Sequence, residues 1–428
     1  MANTLTNAKK VKLLAAAVHD NMDYIKASKS YLSQEEMKNK KYGKTYNITM
    51  PDPGKVIQGI VADPSDVTEV EVPITMDNFN TSFQLDAWEE LTDVMSFQKE
   101  FVDVKAKLLA RVEEKKIVGD NVFKSAQAVV ASAPSFGVLS DAAAALNELA
   151  VAGDVVSFMS PTVMGKIAAS GLANFIVGNE AKEIYGKNYL GQYAGADQIQ
   201  CAVLPTVTTP AMTSIAGDGM AATIALKTNG SNTAAGDKFC DPIKSITAGS
   251  GVTLKPGFAY KAAGLKVVDP SGIQTDQDYI IIVQDGNGTI PELRIAINPQ
   301  NGTQNVSTLG FNGTVTVNGV EVPNGENQKN PNAWVPYGTT SLTLVPILGD
   351  NKTYYVGQVR TDTCLAYDSY QFGKLPGSED ESASVLGTTI KMSEYGNGTT
   401  LQRLVRFDAP FAAGLVDPRY SVTVFIEK

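Results

Sequence analysis

Apolar residues at three- and four-residue spacing open the chain: Val11, Leu14, Val18, Met22 and Ile25 line one face of a predicted helix, with Lys12, Asp20 and Asp23 opposite. A second short helix is predicted over 33–40, where Ser33 stands as N-cap and Glu36 closes a capping box. The period then changes to alternation at 45–50 and 67–72, with Pro51, Pro53, Gly54 and Gly59 between. Two extended strands with so few apolar residues make no core of their own and need a surface to lie on. A strand at 70–76 and the triplet Phe83-Gln84-Leu85 lead to Asp86, which with Glu89 reads as a helix start.

Residues 87–118 lack Gly and Pro, and Phe97, Phe101, Val104, Leu108 and Val112 recur at spacings of four, three, four and four. One helix over that stretch would be roughly 48 Å long, and its stripe is expected to pack on a sheet. The neighbouring carboxylates Glu89-Glu90 and Glu113-Glu114 are expected on solvated faces. A helix over 140–150 with Ser140 as cap, a buried strand Val155–Met159, and a helix started by Ser160-Pro161 and running to about Gly171 give the body an α+β character.

From about 214 the texture changes to dense Gly, Asn, Thr and Asp. Short strands are predicted at 252–255, 260–268, 279–283, 293–297, 315–322 with an Asn318-Gly319 turn, and 342–347. That spacing is the pattern of a small antiparallel barrel or sandwich, about 130 residues long. Mixed character returns from Tyr354 and ends in strands at 403–407 and 420–427, so the body resumes after an insertion.

Composition fits a folded chain: of 428 residues, 43% are hydrophobic and 19% charged. The net charge of −9 opposes phosphate backbones, and the cationic cluster Lys38, Lys40, Lys41 and Lys44 reads as a solvated contact edge. Cysteines 201, 240 and 364 are scattered and odd in number, which fits neither a disulfide framework nor a zinc site. The apolar run 13–18 after Lys9, Lys10 and Lys12 is shorter than the h-region of a secretory signal, so synthesis in a reducing cytoplasm is expected.

Candidate chemistry is sparse. His19 is the only histidine, which removes Ser-His-Asp and Cys-His arrangements and most zinc sites, and it is read as a surface residue. No phosphate loop or nucleophile elbow occurs, and the acidic run 377–382 lacks calcium-loop spacing and reads as a mobile solvated loop. The Asn-x-Ser/Thr triplets are read as turn chemistry. No catalytic, cofactor-binding or metal residue is assigned. A secreted β-rich adhesin or surface-layer protein stays open as the alternative, because the second half is rich in Thr, Asn and Gly; an enzyme with an unusual carboxylate site has no constellation to name.

The order of elements resembles the major capsid proteins of tailed phages with the HK-97 fold, in particular the P-22-type coat proteins with an inserted domain. Residues 45–51 resemble the E-loop, and Phe83-Gln84-Leu85 stands at the turn into the spine helix. The step from Val155 through Ser160-Pro161 to Ile167 resembles the family's strand-to-helix step, and 189–205 the end of the first part of the A-domain. Gly257-Phe258-Ala259-Tyr260 with 263–267, 279–283 and 293–299 resembles the inserted strands. Leu401-Gln402-Arg403-Leu404 through Asp417-Pro418-Arg419 resembles the final return to the P-domain.

The resemblance implies an N-terminal arm at 1–43, an E-loop at 44–75, a P-domain with spine helix at 76–139, A-domain parts at 140–213 and 347–400, an inserted antiparallel β-barrel at 214–346, and C-terminal P-domain strands at 401–428. It implies a non-enzymatic subunit of an icosahedral virion shell, built of pentamers and hexamers in the host bacterial cytoplasm. Implied partners are copies of itself, a scaffolding protein, a portal protein and enclosed double-stranded DNA bound without sequence specificity, with no membrane and no cofactor. Asp20 and Asp23 are the candidate scaffold contacts, and Lys55, Asp63 and Asp66 the candidate E-loop contacts between subunits.

Overall fold

The computed structural model describes residues 7–31, 44–51, 69–86, 104–151, 153–171, 192–210, 220–228, 240–241, 243–248, 254–268, 274–285, 289–293, 309–311, 314–317, 320–323, 338–373, 377–397 and 402–428. In chain order the elements used below are helix α1 (Asn7–Asp20), strands β1 (Thr45–Pro51) and β2 (Glu69–Asp86), helix α2 (Ala106–Asn121), β3 (Gln127–Ala131), helix α3 (Phe136–Glu148), β4 (Val155–Met159), helix α4 (Pro161–Gly171) and β5 (Ala196–Gln200). After the strands of the inserted stretch come β6 (Thr353–Thr361), β7 (Leu365–Ser369), β8 (Glu379–Val385), β9 (Thr388–Asn397), β10 (Gln402–Leu415) and β11 (Ser421–Glu427). The architecture is α+β.

The chain divides into two units. The first comprises residues 1–48, 72–118 and 365–416. Its sheet runs β1-β2-β10-β9-β8, with β7 also paired to β10. β2 is one continuous 18-residue strand. The sequence breaks it after Met76, but the register with β10 is unbroken from Met76↔Ala412 to Asp86↔Gln402. Pro73 is tolerated because it precedes that register and is exposed, where its missing N–H breaks no ladder. The ring pairs Phe79–Phe411 and Phe83–Phe407 fix the register across the two strands. The helix predicted over 33–40 lies outside the described residues, as does the loop between β1 and β2.

The second unit carries a helix-on-sheet core. Its sheet is ordered β3-β11-β6-β4-β5, then 192–193 at the edge, with 206–208 paired to β6. β11 pairs parallel with β3 and antiparallel with β6, so the C-terminus is threaded between early and late strands. Leu139, Ala142 and Leu146 of α3 and Val163, Met164 and Ile167 of α4 pack with Val359, Val422, Val424 and Ile426 of the sheet. The fully alternating burial expected of a one-sided sheet is absent from β11, which is buried along nearly its whole length.

α3 begins at Phe136 with Ser135 at the cap position, so Ser140 lies inside the helix and not at its start. The apolar face decided this, because Val138 and Leu139 are core residues that a start at Ser140 would leave out. The Ser160-Pro161 start is as expected, with Val163 N–H donating to Ser160 Oγ at 3.4 Å.

The inserted stretch is antiparallel β-structure, in the strand order 274–282, 259–268, 338–346, 220–228, 243–248, 289–293. Among the described residues no pairing joins the two ends of this order into a closed barrel. Residues 314–317 and 320–323 form a separate antiparallel pair, and Asn318 and Gly319 lie outside the described residues. Of the strand predicted at 252–255, Leu254 and Lys255 lie outside any strand, and 252–253 lie outside the described residues.

Candidate assembly interface

α1 buries Val11, Leu14, Ala15 and Val18 and packs on β8 and β9. Beyond it, Tyr24 N–H donates to Glu114 Oε1 at 2.7 Å. Lys29 forms a two-bond bridge with β7: its N–H donates to the Leu365 carbonyl at 2.9 Å, and its carbonyl accepts from Tyr367 N–H at 3.1 Å. Asp368 then receives Ser30 Oγ at 2.7 Å on one oxygen and the Tyr46 hydroxyl at 2.6 Å on the other. One buried carboxylate therefore ties the N-terminal segment and β1 to β7 with charge-assisted bonds.

Glu113 is fully buried on α2 and accepts the Tyr367 hydroxyl at 2.9 Å. Burial pushes its pKa up to about 8, only partly opposed by that hydrogen bond, so at neutral pH it is a protonated acid. Burial also raises the phenols of Tyr46 and Tyr367, which stay donors. The expectation that Glu113 and Glu114 face solvent is thus corrected. The buried face of α2 reads Ala106, Ala110, Glu113, Ile117, and its small and acidic members hid it from an apolar count. His19 is likewise not a free surface residue: it is half-buried, its Nδ1 lies 3.2 Å from Thr388 Oγ1, and burial lowers its pKa.

The stripe expected in a core is instead open. Val104, Leu108 and Val112 are 58%, 56% and 42% exposed. Their partners in the predicted stripe, Phe97 and Phe101, lie outside the described residues, as do Glu89 and Glu90. Val104 stands in the π-helical turn that leads into α2, one turn before Leu108. Exposed side chains one turn apart make a continuous row, so α2 with this lead-in turn presents a contiguous apolar face of the kind that marks an interaction site.

Of the predicted contact residues, Asp20 is exposed at the end of α1, and Asp23 pairs with Lys26 at 2.5 Å three residues further on. Lys55, Asp63 and Asp66 lie outside the described residues. From Glu379 on, the acidic run 377–382 is not a loop but the start of β8, where Asp380 turns inward to pair with Lys391 at 2.9 Å and both are nearly inaccessible. β8 also hydrogen-bonds along β9 from Glu379↔Glu394 to Val385↔Thr388. Sequence reasoning passed over Tyr367 and Asp368; the signal was an acid set inside the short strand Leu365–Ser369, which is buried at all five positions. Cys201 and Cys364 are buried and not joined in a disulfide. Among the described residues there is no cluster able to hold a metal and no helix long and apolar enough to cross a membrane.

No family model matches this chain, and no curated protein does. Among solved structures it is similar to a chain of Mycobacterium phage Che8, at 10% identity and a TM-score of 0.40, covering 92% of each chain. It is similar to the virus-like particle from Pyrococcus furiosus at 8% identity and a TM-score of 0.38, covering 97% of each. It is also similar to the capsid structure of the cyanophage P-SCSP1u, at 8% identity and a TM-score of 0.43, over 91% of this chain and 85% of that one.

Proposed function

We propose that this chain is the major capsid protein of a tailed bacteriophage, a structural subunit that assembles with copies of itself into pentamers and hexamers of an icosahedral shell around double-stranded DNA. The observation that carries the reading is the face of α2: three large apolar side chains in a row, open to solvent on a single chain while Glu113 and Glu114 turn inward. Such a face is completed by a neighbour. The order of elements agrees with the resemblance in the sequence: an N-terminal helix, an extended strand pair, a helix, a helix-on-sheet body, an inserted antiparallel β-region, and C-terminal strands that return to both sheets.

In this reading residues 1–43 are the arm that meets a scaffolding protein, through Asp20 and Asp23, and the stretch between β1 and β2, with Lys55, Asp63 and Asp66, lies across a neighbouring subunit. The insertion at 214–346, as a small β-barrel, stabilises the subunit and touches neighbouring capsomers. The precursor shell takes up a portal protein and later DNA, held without sequence-specific contacts, in the bacterial cytoplasm. Expression with its scaffolding protein, followed by negative-stain microscopy, is expected to give closed shells, and removal of residues 1–30 is expected to abolish them. A chain that stays monomeric with its scaffold, or closed shells from the truncated form, would count against the reading.

A further inference from the structure

The exposed surface of α2 carries two adjacent rows, followed toward its C-terminal end by the exposed Lys116 and Asp120. Val104, Leu108 and Val112 form one, and Lys107, Arg111 and Lys115, each exposed and one turn apart, form the other. Among the described residues no carboxylate pairs with Lys107, Arg111 or Lys115. In a chain of net charge −9 this is a local reversal of sign beside an apolar strip.

The complementary surface lies in the same unit. β8 and β9 are joined by the two-residue loop Leu386-Gly387, with φ of +50° and +86°, the geometry of a type I′ turn. Leu386 is a residue that seldom adopts this conformation, yet it stands at the tip 73% exposed, more than any other large apolar side chain described. Glu379 and Glu381 are exposed on the same hairpin and have no cation beside them among the described residues. The dimensions agree. Glu381 and Leu386 are about 17 Å apart along a strand at about 3.4 Å per residue. Val104 and Lys115 are about 16 Å apart along a helix.

Both surfaces are open in a single chain, so they do not cover each other within it. We infer that the β8–β9 hairpin of one copy docks on the exposed face of α2 in a neighbouring copy. Leu386 sits on the Val104, Leu108 and Val112 row, and Glu379 and Glu381 face Lys107, Arg111 and Lys115. This rests on the reading that the chain assembles with itself, and it specifies the contact. Because donor and acceptor surfaces differ, the contact is head-to-tail and propagates into rings or larger closed assemblies, where a two-fold contact would stop at a dimer.

The test uses three full-length variants, all changed at exposed positions and checked for folding by circular dichroism: K107E/R111E/K115E, E379K/E381K, and the combination of all five. Sedimentation velocity and negative stain are run under conditions where the wild type assembles. Each charge-reversed set alone is expected to lose assembly, and the five-fold variant, which restores opposite signs, to regain it. Wild-type assembly that persists in either single set, or a folded five-fold variant that fails to assemble, overturns the inference and leaves self-assembly standing. Loss in the α2 set alone would assign that face to another partner and overturns it equally. A wild type that never assembles overturns the self-assembly reading, and this contact with it.

Discussion

The hydroxyl of Tyr367 donates to Oε1 of Glu113 at 2.9 Å with both residues buried, joining β7 to α2 through an acid that holds its proton at neutral pH. Its second oxygen, Oε2, has no hydrogen-bond partner among the described residues. An ionised carboxylate there would be a buried charge with one donor to satisfy it.

The sign of the resulting pH dependence follows. The folded pKa, about 8, lies above the ordinary carboxylate value of 4.5. The stabilisation from the neutral acid is therefore complete below pH 4.5, shrinks as the pH rises, and is lost once the pH passes 8. Glu113→Gln cannot ionise, so the thermal midpoint of wild type minus that of the variant is expected to fall steadily from pH 5 to pH 8. A difference that is flat with pH would place a charged carboxylate at 113.

Asp368 is the second anchor, and Tyr46→Phe removes one of its charge-assisted bonds without changing shape. The loss is expected to be about 1.5–3 kcal/mol, the usual range for a hydrogen bond to a charged group. It should appear as faster amide exchange in β1 and at Lys29–Ala366, with the second unit's core unchanged. Exchange spread evenly over both units would show that Asp368 acts on global stability and not on this junction.

How much of this was legible follows from which residues signal their surroundings. Ser160-Pro161 announces a helix because proline at the first helical position is stereochemically determined by the chain itself. Phe83-Gln84-Leu85 alternates visibly, and its strand was found, though joining it to Glu69–Asp86 needed the partner strand β10. α2 was read on the wrong side because two periodic faces compete in it. The louder one, Val104, Leu108 and Val112, is open to solvent, and the buried one mixes Ala106, Ala110, Glu113 and Glu114 with Leu109, Ile117 and Val118. An apolar count assumes that the apolar face turns inward, and an outward apolar face violates that assumption. The inward turn of Asp380 was equally hidden, since only the pairing with β9 brings Lys391 to it.

At the start of β11, Asp417 accepts the Arg419 N–H at 2.9 Å and the guanidinium at 2.6 Å, capping the short turn Pro418–Tyr420 that feeds the last strand. Both residues are buried. Asp417→Ala leaves a buried guanidinium without this carboxylate and is expected to cost about 3–5 kcal/mol, read as a lower urea midpoint. Asp417→Asn keeps the cap and should fall between the two. Equal midpoints for the alanine and wild-type chains would mean that water reaches Arg419.

Gly357 on β6 faces the same core. A Cβ there would lie 2.3 Å from Met159 Sδ and 3.0 Å from the Phe158 carbonyl of the paired strand β4. The methionine end can shift, but it is itself buried, and the carbonyl belongs to the sheet. Gly357→Ala is expected to destabilise by about 1–3 kcal/mol, as overpacked cores do. An unchanged urea midpoint would mean that Met159 finds another rotamer at no cost.

Leu386 sets stability against assembly. A leucine in the left-handed region costs roughly 1–2 kcal/mol relative to a residue suited to it, and Asn-Gly is the favoured pair for a two-residue type I′ loop. Leu386→Asn should therefore raise the thermal midpoint of the isolated subunit. If the hairpin tip seats on a neighbouring α2, the same change removes the apolar contact and lowers the assembled fraction at equal concentration. The two readouts must move in opposite directions. A chain that is stabilised and assembles as well as wild type would show that Leu386 is kept for neither purpose, and one that is destabilised would show that its side chain is held by the subunit itself.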